Sequence, residues 1–231
     1  MTAVREIVMD TETTGLDPAE GHRIVEIGAL ELENHVPTGR TYHQYINPGM
    51  RMPDEAFAIH GISDADLEDK PPFEAIAGDF LAFIEGATLV IHNASFDIRF
   101  LNAELAKVNA APLALEEAVD TLQIARSRYP GAQNSLDGLC RRFGIDNAKR
   151  VKHGALLDSE ILADVYLELR GGRQSRLSMD VAEAGTAEAA QAYRAPSRPG
   201  ARPVLLTDEE RNRHEVFVAE LGEDALWAKG V

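Results

Sequence analysis

The chain has 231 residues and a formal net charge of −15, from 38 acidic and 23 basic side chains. This balance argues against a protein that holds nucleic acid on a basic surface, because phosphate binding depends largely on Lys and Arg. Hydrophobic residues make up 45% of the chain, enough for a sizeable core, and the length allows one large domain with a tail.

The single cysteine, Cys140, excludes an internal disulfide framework and a cysteine-built zinc site, and it fits a reducing compartment. No apolar run approaches the ~18 residues of a membrane span. The N-terminus lacks the apolar core of a signal peptide. We therefore expect a soluble, acidic, cytoplasmic protein with no membrane segment.

Predicted strands and helices are mixed over the first 170 residues. Short apolar runs predict strands at 4–11, 24–32, 42–46 and 88–92. Helical spacing of apolar residues predicts helices at 73–85, 96–105, 119–129, 135–143 and 154–170. This order indicates an α/β domain with a mixed sheet.

The composition changes after Arg170. Two glycines end the last helix, and residues 181–203 are rich in Ala, Gly, Pro and Arg, so we interpret 171–203 as a tether. The segment 204–227 carries apolar residues but is too short to bury them alone. It either folds back on the domain or docks on a partner, and the long tether favours the partner.

Charge is unevenly distributed within the predicted domain. Residues 54–104 carry 11 acidic and 2 basic side chains, a net charge of −9. Residues 121–153 carry 7 basic and 2 acidic side chains, a net charge of +5. The basic stretch is either a solvated helical face or a local patch that holds phosphate.

Asp10 and Glu12 come at the end of the first predicted strand. Residues i and i+2 of a strand point to the same side, so the two carboxylates project together. Two carboxylates at close range repel each other unless a cation holds them. The pair is a candidate half of a metal site, the alternative being two exposed acids at a strand end.

Two further acids have comparable positions. Asp97 follows the strand at 88–92, so it belongs to the same sheet edge, with helix capping as its alternative role. Asp158 lies on or beside the apolar stripe of its helix, and a buried acid must be paired or bound to metal. His153 precedes that helix and is a candidate base.

The candidate ligands are acids, with no second cysteine. They suit a hard ion with oxygen ligands, Mg²⁺ or Mn²⁺, rather than zinc. Two such ions ~3.5–4 Å apart are a common apparatus for cleaving a phosphodiester.

Three segments resemble the exonuclease motifs of the DEDD superfamily, namely 10–15, 93–97 and 153–158. The five-residue step from His153 to Asp158 is similar to the histidine-type (DEDDh) branch. Other segments resemble more closely the epsilon family, the proofreading exonucleases of bacterial DNA polymerase III, namely 56–62, 89–93, 134–137 and 145–147. This resemblance covers nearly all of 4–172.

The resemblance implies an RNase H-like exonuclease domain at 1–172, with a mixed five-stranded sheet flanked by helices. It implies that four acids hold two divalent cations, namely Asp10, Glu12, Asp97 and Asp158. By the same resemblance, His153 deprotonates the attacking water.

Substrate-binding positions are also implied by the resemblance. Glu55 and His60 match positions that approach the terminal nucleotide, with a surface acid and a packed core histidine as the respective alternatives. The other expected positions are Thr13, Gly15, Leu16, Asn93 and Phe96, together with the acids Asp10, Glu12 and Asp158.

The tail resembles family features as well. Residues 174–179 are similar to the short peptide by which polymerase parts bind the sliding clamp, through Gln174, Leu177 and Met179. An aromatic residue is usual at the last of these positions, so chance similarity in a flexible linker, 173–203, is the alternative. The segment 204–231 corresponds to the part that binds the polymerase III alpha (catalytic) subunit.

The implied function is that of a 3′→5′ exodeoxyribonuclease that proofreads for the replicative DNA polymerase III. It would hydrolyse the last phosphodiester of a single-stranded or frayed 3′ end and release 5′-mononucleotides, in the bacterial cytoplasm at the nucleoid-associated replisome. One alternative is a free-standing DEDDh exonuclease that acts on RNA or short oligonucleotide ends. Another is a non-catalytic subunit, which the complete catalytic set disfavours.

Overall fold

The computed structural model describes residues 4–148, 150, 152–172 and 207–220. The chain divides into two compact units, Met1–Ser178 and Met179–Val231. Within the described ranges, no helix has the length and apolar character needed to cross a membrane.

A five-stranded mixed sheet forms the centre of the first unit, in the order β3-β2-β1-β4-β5. The strands are β1 (Arg5–Thr13), β2 (Ile24–Glu33), β3 (Val36–Tyr45), β4 (Thr88–Ile91) and β5 (Val119–Asp120). The pairs β1–β2 and β2–β3 are antiparallel, whereas β1–β4 and β4–β5 are parallel. The predicted mixed sheet of five strands is confirmed.

Seven α-helices of the first unit are described: α1 (Asp54–His60), α2 (Asp64–Leu67), α3 (Phe73–Ile84), α4 (Ala94–Lys107), α5 (Thr121–Arg128), α6 (Leu136–Phe143) and α7 (Ala155–Arg170). On one side of β1, Ile7 and Met9 belong to a core shared with α3 and α4. On the other side, Val8 belongs to a core shared with α6 and α7. Of the second unit, the helix α8 (Asp208–Glu220) is described.

Several element boundaries differ from the sequence-based expectation. The third strand begins at Val36 rather than at residue 42, because its first six residues are exposed at the sheet edge and show no apolar alternation. The predicted helix at 119–129 begins only at Thr121, since the Asp120 side chain accepts hydrogen bonds from the amides that open α5. The short helices α1 and α2 were missed, because neither is long enough to display an apolar period.

The first turn of α7 lies directly against β2 at Gly28. A Cβ at this position would be 2.1 Å from the backbone nitrogen of Leu156. The Ser159 hydroxyl also donates to the Gly28 carbonyl over 2.9 Å. Glycine therefore allows helix and strand backbones to touch, and this contact fixes the position of the turn that carries Asp158.

We expect Gly28→Val to lower the free energy of unfolding by about 1–3 kcal/mol or more, because the added side chain must push α7 away from the sheet. The free energy of unfolding in denaturant measures the effect. Gly78→Ala is the control: Gly78 is within α3, has open space around its Cβ position, and should gain up to about 1 kcal/mol from helix propensity. A Gly28→Val protein as stable as the wild type would contradict the role of this contact.

Candidate active site

The four predicted acids and the predicted histidine line one cleft of about 510 Å³. β1 supplies Asp10 and Glu12, the first turn of α4 supplies Asp97, and the first turn of α7 supplies Asp158. β1 and β4 are parallel neighbours, so the residues that follow their carboxyl ends meet at the same sheet edge. The structure thus brings together all five residues that the sequence had singled out for catalysis.

The carboxylates of this cleft differ in how many hydrogen-bond donors they have. Asp97 accepts a hydrogen bond from the Thr11 hydroxyl over 2.7 Å. Glu12 is 7% exposed, and its Oε1 atom has no hydrogen-bond partner among the described residues. A buried carboxylate oxygen without a donor is costly, so the site lacks a positive charge at this point.

Burial and mutual repulsion raise the pKa values of three of these acids. Burial raises the pKa of Glu12 to about 8, with further contributions from the charges of Asp158 and Glu26. Burial raises the pKa of Asp97 to about 7 although the Thr11 hydroxyl opposes the shift. The pKa of Asp10 is raised well above its ordinary value, first by burial and then by the neighbouring acids. At neutral pH these carboxylates ionise fully only if a cation joins them.

The guanidinium of Arg150 lies in the cleft and is 7% exposed. Its Nε and Nη2 atoms donate to the two carboxylate oxygens of Asp158 over 2.6 and 2.7 Å. Its Nη1 atom donates to Asp137 over 2.9 Å. From the sequence, Arg150 was only one member of the basic stretch. The sign that it belongs to the site was its position three residues before His153.

His153 lies at the solvent side of the cleft, with its side chain 47% exposed. Its Nδ1 atom is 3.4 Å from Asp158 Oδ2 and 2.9 Å from Arg150 Nη2. Burial and the Arg150 charge lower the pKa of His153. The imidazole is therefore neutral at pH 7 and able to accept a proton.

The loop that carries His153 is tied to α1. The backbone N–H of His153 is 3.4 Å from the Ile59 carbonyl. The Lys152 ammonium lies 4.8 Å from the centre of the Phe57 ring, a favourable cation–π contact. Of the predicted basic stretch, Arg126 and Arg150 line the cleft, while Arg142 lies over the Tyr129 ring.

The donor set fits a hard divalent cation. Ligand atoms of Glu12, His153 and Asp158 lie within 4.8 Å of one another. Carboxylate oxygens predominate, which is the ligand chemistry of Mg²⁺ and Mn²⁺. The unpartnered Glu12 oxygen and the raised pKa values both indicate missing positive charge at this place.

A second cleft of about 410 Å³ adjoins the first and shares Thr11, Glu12 and Phe96 with it. It is lined by five of the predicted substrate-binding residues, namely Thr13, Gly15, Leu16, Glu55 and His60. Leu16 is 76% exposed at this cleft, and the buried His60 leaves its Nε2 atom without a hydrogen-bond partner among the described residues. Of the other predicted residues, Asn93 lines the first cleft and Phe96 lines both.

The predicted clamp-binding residues Gln174, Leu177 and Met179 lie outside the described residues. Of the predicted partner-binding segment 204–231, residues 207–220 are described. Their helix α8 exposes two large apolar side chains, Val216 and Phe217.

The sequence profile of an exonuclease family, RNase_T, matches residues 7–166. The DNA polymerase III subunit epsilon of Rickettsia felis is 49% identical over 225 residues, which cover 96% of this chain and 98% of the relative. The protein of the same name from Escherichia coli K12 is 43% identical over 241 aligned residues, covering 96% of this chain and 97% of the relative.

Solved structures agree with this match. A structure of exonuclease X with 5′-overhanging duplex DNA is 27% identical, with a TM-score of 0.54, and the alignment covers 72% of this chain and 90% of that one. The nuclease domain of 3′hExo, a DEDDh family member bound to rAMP, shares the fold with a TM-score of 0.64 at 18% identity, over 73% of this chain and 92% of that one. The chain belongs to the exonuclease family and, within it, to the epsilon subunits of DNA polymerase III. It is a metal-dependent 3′→5′ exonuclease.

The raised pKa values predict that the metal-free protein loses stability as the pH rises. Glu12 ionises near its ordinary value of 4.5 in the unfolded chain but only near 8 in the folded one. Between these pH values the folded state therefore binds more protons than the unfolded state. The stability that this difference provides is present below pH 4.5 and is lost as the pH rises to about 8.

Thermal unfolding in chelator at pH 5 and pH 8 measures this loss, which should amount to a few kcal/mol. Added Mg²⁺ or Mn²⁺ should restore stability at pH 8 much more than at pH 5. In Glu12→Gln, both the pH dependence and the metal effect should shrink. Equal metal-free stability at the two pH values would contradict the electrostatic account.

Proposed function

We propose that this chain proofreads for a replicative DNA polymerase, removing mispaired nucleotides from the 3′ end of DNA. The observation that carries the proposal is the convergence of Asp10, Glu12, Asp97, Asp158 and His153 in one cleft. The adjoining second cleft offers space for a terminal nucleotide beside these groups.

Asp10, Glu12, Asp97 and Asp158 would hold two divalent cations, Mg²⁺ or Mn²⁺. Bound there, the ions would supply positive charge to the scissile phosphate and lower the pKa of the attacking water. The protein's contribution is to fix the four carboxylates by β1, α4 and α7 before the substrate arrives. Preorganised charges of this kind need no rearrangement at the moment of reaction.

His153 would accept the proton of the attacking water. Its neutral imidazole, its exposure to the cleft and its distance of 3.4 Å from Asp158 support this role. Arg150 holds His153 and Asp158 at a fixed spacing through hydrogen bonds to both. Water attack would then release a 5′-mononucleotide.

The second cleft would bind the terminal nucleotide. Apolar groups such as Leu16 and Phe96 suit the faces of a base, since stacking on apolar and aromatic side chains is tolerant of sequence. Glu55 and His60 supply polar atoms, of which His60 Nε2 lacks a partner. Thr13 and Gly15 would contribute the rest of this wall, and Asn93 would contact the substrate from the adjoining first cleft.

The acidic surface bears on how the enzyme finds its substrate. With a net charge of −15, the chain has little electrostatic attraction for DNA. We propose that a polymerase III alpha subunit holds the DNA and binds this chain through 204–231, the segment that includes the exposed Val216 and Phe217. A linker at 173–203, with the clamp-binding peptide 174–179, would join that segment to an exonuclease domain at 1–172 in the bacterial cytoplasm.

Asp10→Asn and His153→Ala should each abolish nucleotide release from a 3′-labelled single-stranded DNA. For His153→Ala, the loss of a general base lowers kcat by roughly 10²–10⁴-fold. Chelator should stop the wild-type reaction, and added Mg²⁺ or Mn²⁺ should restart it. Glu160→Ala is the control, because it removes an exposed acid of α7 two residues from Asp158 and should retain full activity.

Full activity of Asp10→Asn would overturn the assignment of the carboxylates. The same assay on RNA of identical sequence tests the free-standing alternative: a kcat/KM equal to or higher than that for DNA would favour it.

The full-length chain should bind the polymerase alpha subunit, and the double variant Val216→Asp, Phe217→Asp should bind it at least ten-fold more weakly, because charged groups would have to be buried at an apolar interface. Surface plasmon resonance with purified subunits gives the dissociation constants. Val36→Asp is the matched control, an exposed apolar residue on β3 of the first unit. Equal loss of binding in both proteins would argue against a contact through α8.

A further inference from the structure

We propose that Glu26 is a positioning residue for the catalytic cleft: its carboxylate fixes the first turn of α7 and thereby the place of Asp158 opposite Asp10 and Glu12. The inference rests on the proposed role of Asp158 as a metal ligand. Glu26 itself is outside the cleft lining, on the strand next to Glu12, its register partner on β1.

Glu26 is a buried acid of β2, 2% exposed, and its carboxylate has hydrogen-bond partners on β3 and on α7. Its Oε2 atom accepts from the backbone N–H of Ala155, the first residue of α7, over 3.1 Å. Its Oε1 atom is 2.7 Å from Nε2 of His43 on β3. The carboxylate thus links the sheet edge to the helix start.

The helix needs this external cap. α7 begins after Gly154, which has no side chain to cap the first amides. Glu26 supplies the missing acceptor from 129 residues earlier in the chain, and its negative charge suits the positive end of the helix dipole. The cap therefore depends on tertiary structure and fixes where the helix starts relative to β2.

A second tie lies one turn further along the same helix. The hydroxyl of Ser159, the residue after Asp158, lies 2.9 Å from the Gly28 carbonyl oxygen and 2.7 Å from that of Ala155, so it bridges strand and helix. The two ties flank Asp158 along α7.

The register of β2 against β1 connects these ties to the other ligands. Glu26 is the register partner of Glu12, and Gly28 is the register partner of Asp10. Each tie to α7 thus lies beside one of the proposed ligands on β1. The separation between the β1 and α7 carboxylates is set by one strand spacing and one helix contact, without a flexible loop between them.

Glu31 provides a matched control on the same strand. It is also a buried acid with cationic partners, Arg5 and Arg40, at 2.6 and 2.7 Å. It is five residues from Glu26, which places it on the other face of β2, and its hydrogen-bond partners Arg5, Thr38 and Arg40 all lie outside α7. Removing either acid should lower stability, but only Glu26 should affect the site.

The experiment compares the full-length wild type with E26A, E26D, E26Q, H43A and E31Q. Mn²⁺ binding is measured by isothermal titration calorimetry, and stability is measured by unfolding in denaturant. The parameters kcat and KM are measured on single-stranded DNA. Supporting groups around metal ligands typically change metal affinity by roughly 10–100-fold. We expect at least a ten-fold weaker Mn²⁺ affinity and a lower kcat for E26A, with KM for DNA nearly unchanged.

E26Q separates position from charge. Its amide oxygen still accepts from Ala155 N–H, so Mn²⁺ affinity within about three-fold of the wild type is expected. An E26Q defect as large as that of E26A would overturn the positioning role, because the charge of Glu26 would then be what matters. E31Q should unfold more easily and yet bind Mn²⁺ like the wild type.

Wild-type Mn²⁺ affinity in a destabilised E26A protein would reduce Glu26 to a structural residue and overturn the inference. If E26A does not fold, E26D decides, because its shorter side chain draws the carboxylate back from the Ala155 N–H; an unchanged Mn²⁺ affinity in E26D overturns the inference as well. H43A leaves that bond in place and should bind Mn²⁺ like the wild type. If the wild type itself binds no Mn²⁺, the proposed metal site is refuted. A failure of the Glu26 inference alone looks different, because the wild type then binds Mn²⁺ and E26A binds it equally well.

Discussion

Repulsion between buried carboxylates that share one cleft is the constraint on which this structure depends. Beyond their burial, the charges of Asp97 and Asp158 raise the pKa values of Asp10 and Glu12, and the chain does not relieve this by spreading the acids. It places each on a regular element whose position is fixed by packing in one of two cores. The Thr11 hydroxyl donates a hydrogen bond to Asp97, and the Arg150 guanidinium offsets part of the negative charge. The remaining negative charge favours the binding of cations.

The overall acidity has a different meaning once the positions of the charges are known. A net charge of −15 argued against a protein that holds DNA by itself. It does not argue against DNA as a substrate, because four of the acids line the cleft where ions would offset them. Basic side chains are present at that cleft as well, in Arg126 and Arg150. The predicted basic stretch therefore contains both a cleft-lining part and a solvated part.

Much of the site was predictable because it follows from local patterns. Alternation along β1 and the apolar stripe of α7 located Asp10 and Asp158, and the parallel order of strands implied a shared edge. The Arg150 contacts and the Glu26 cap were not predictable in the same way. The first depends on the path of an irregular loop, and the second joins residues 129 positions apart. The exposed start of β3 and the short α1 and α2 likewise lack the periodicity that sequence reasoning uses.

The two ends of α7 lie at different parts of the domain. Asp158 is in its first turn and Arg170 is its last residue, so at 1.5 Å per residue about 18 Å of rigid helix separates the cleft from the point where the tail leaves. The rigid helix thus keeps the cleft and the C-terminal end of α7 at a constant distance from each other. Gly171 and Gly172, the described residues that follow α7, therefore lie a helix length away from Asp158 and its cleft.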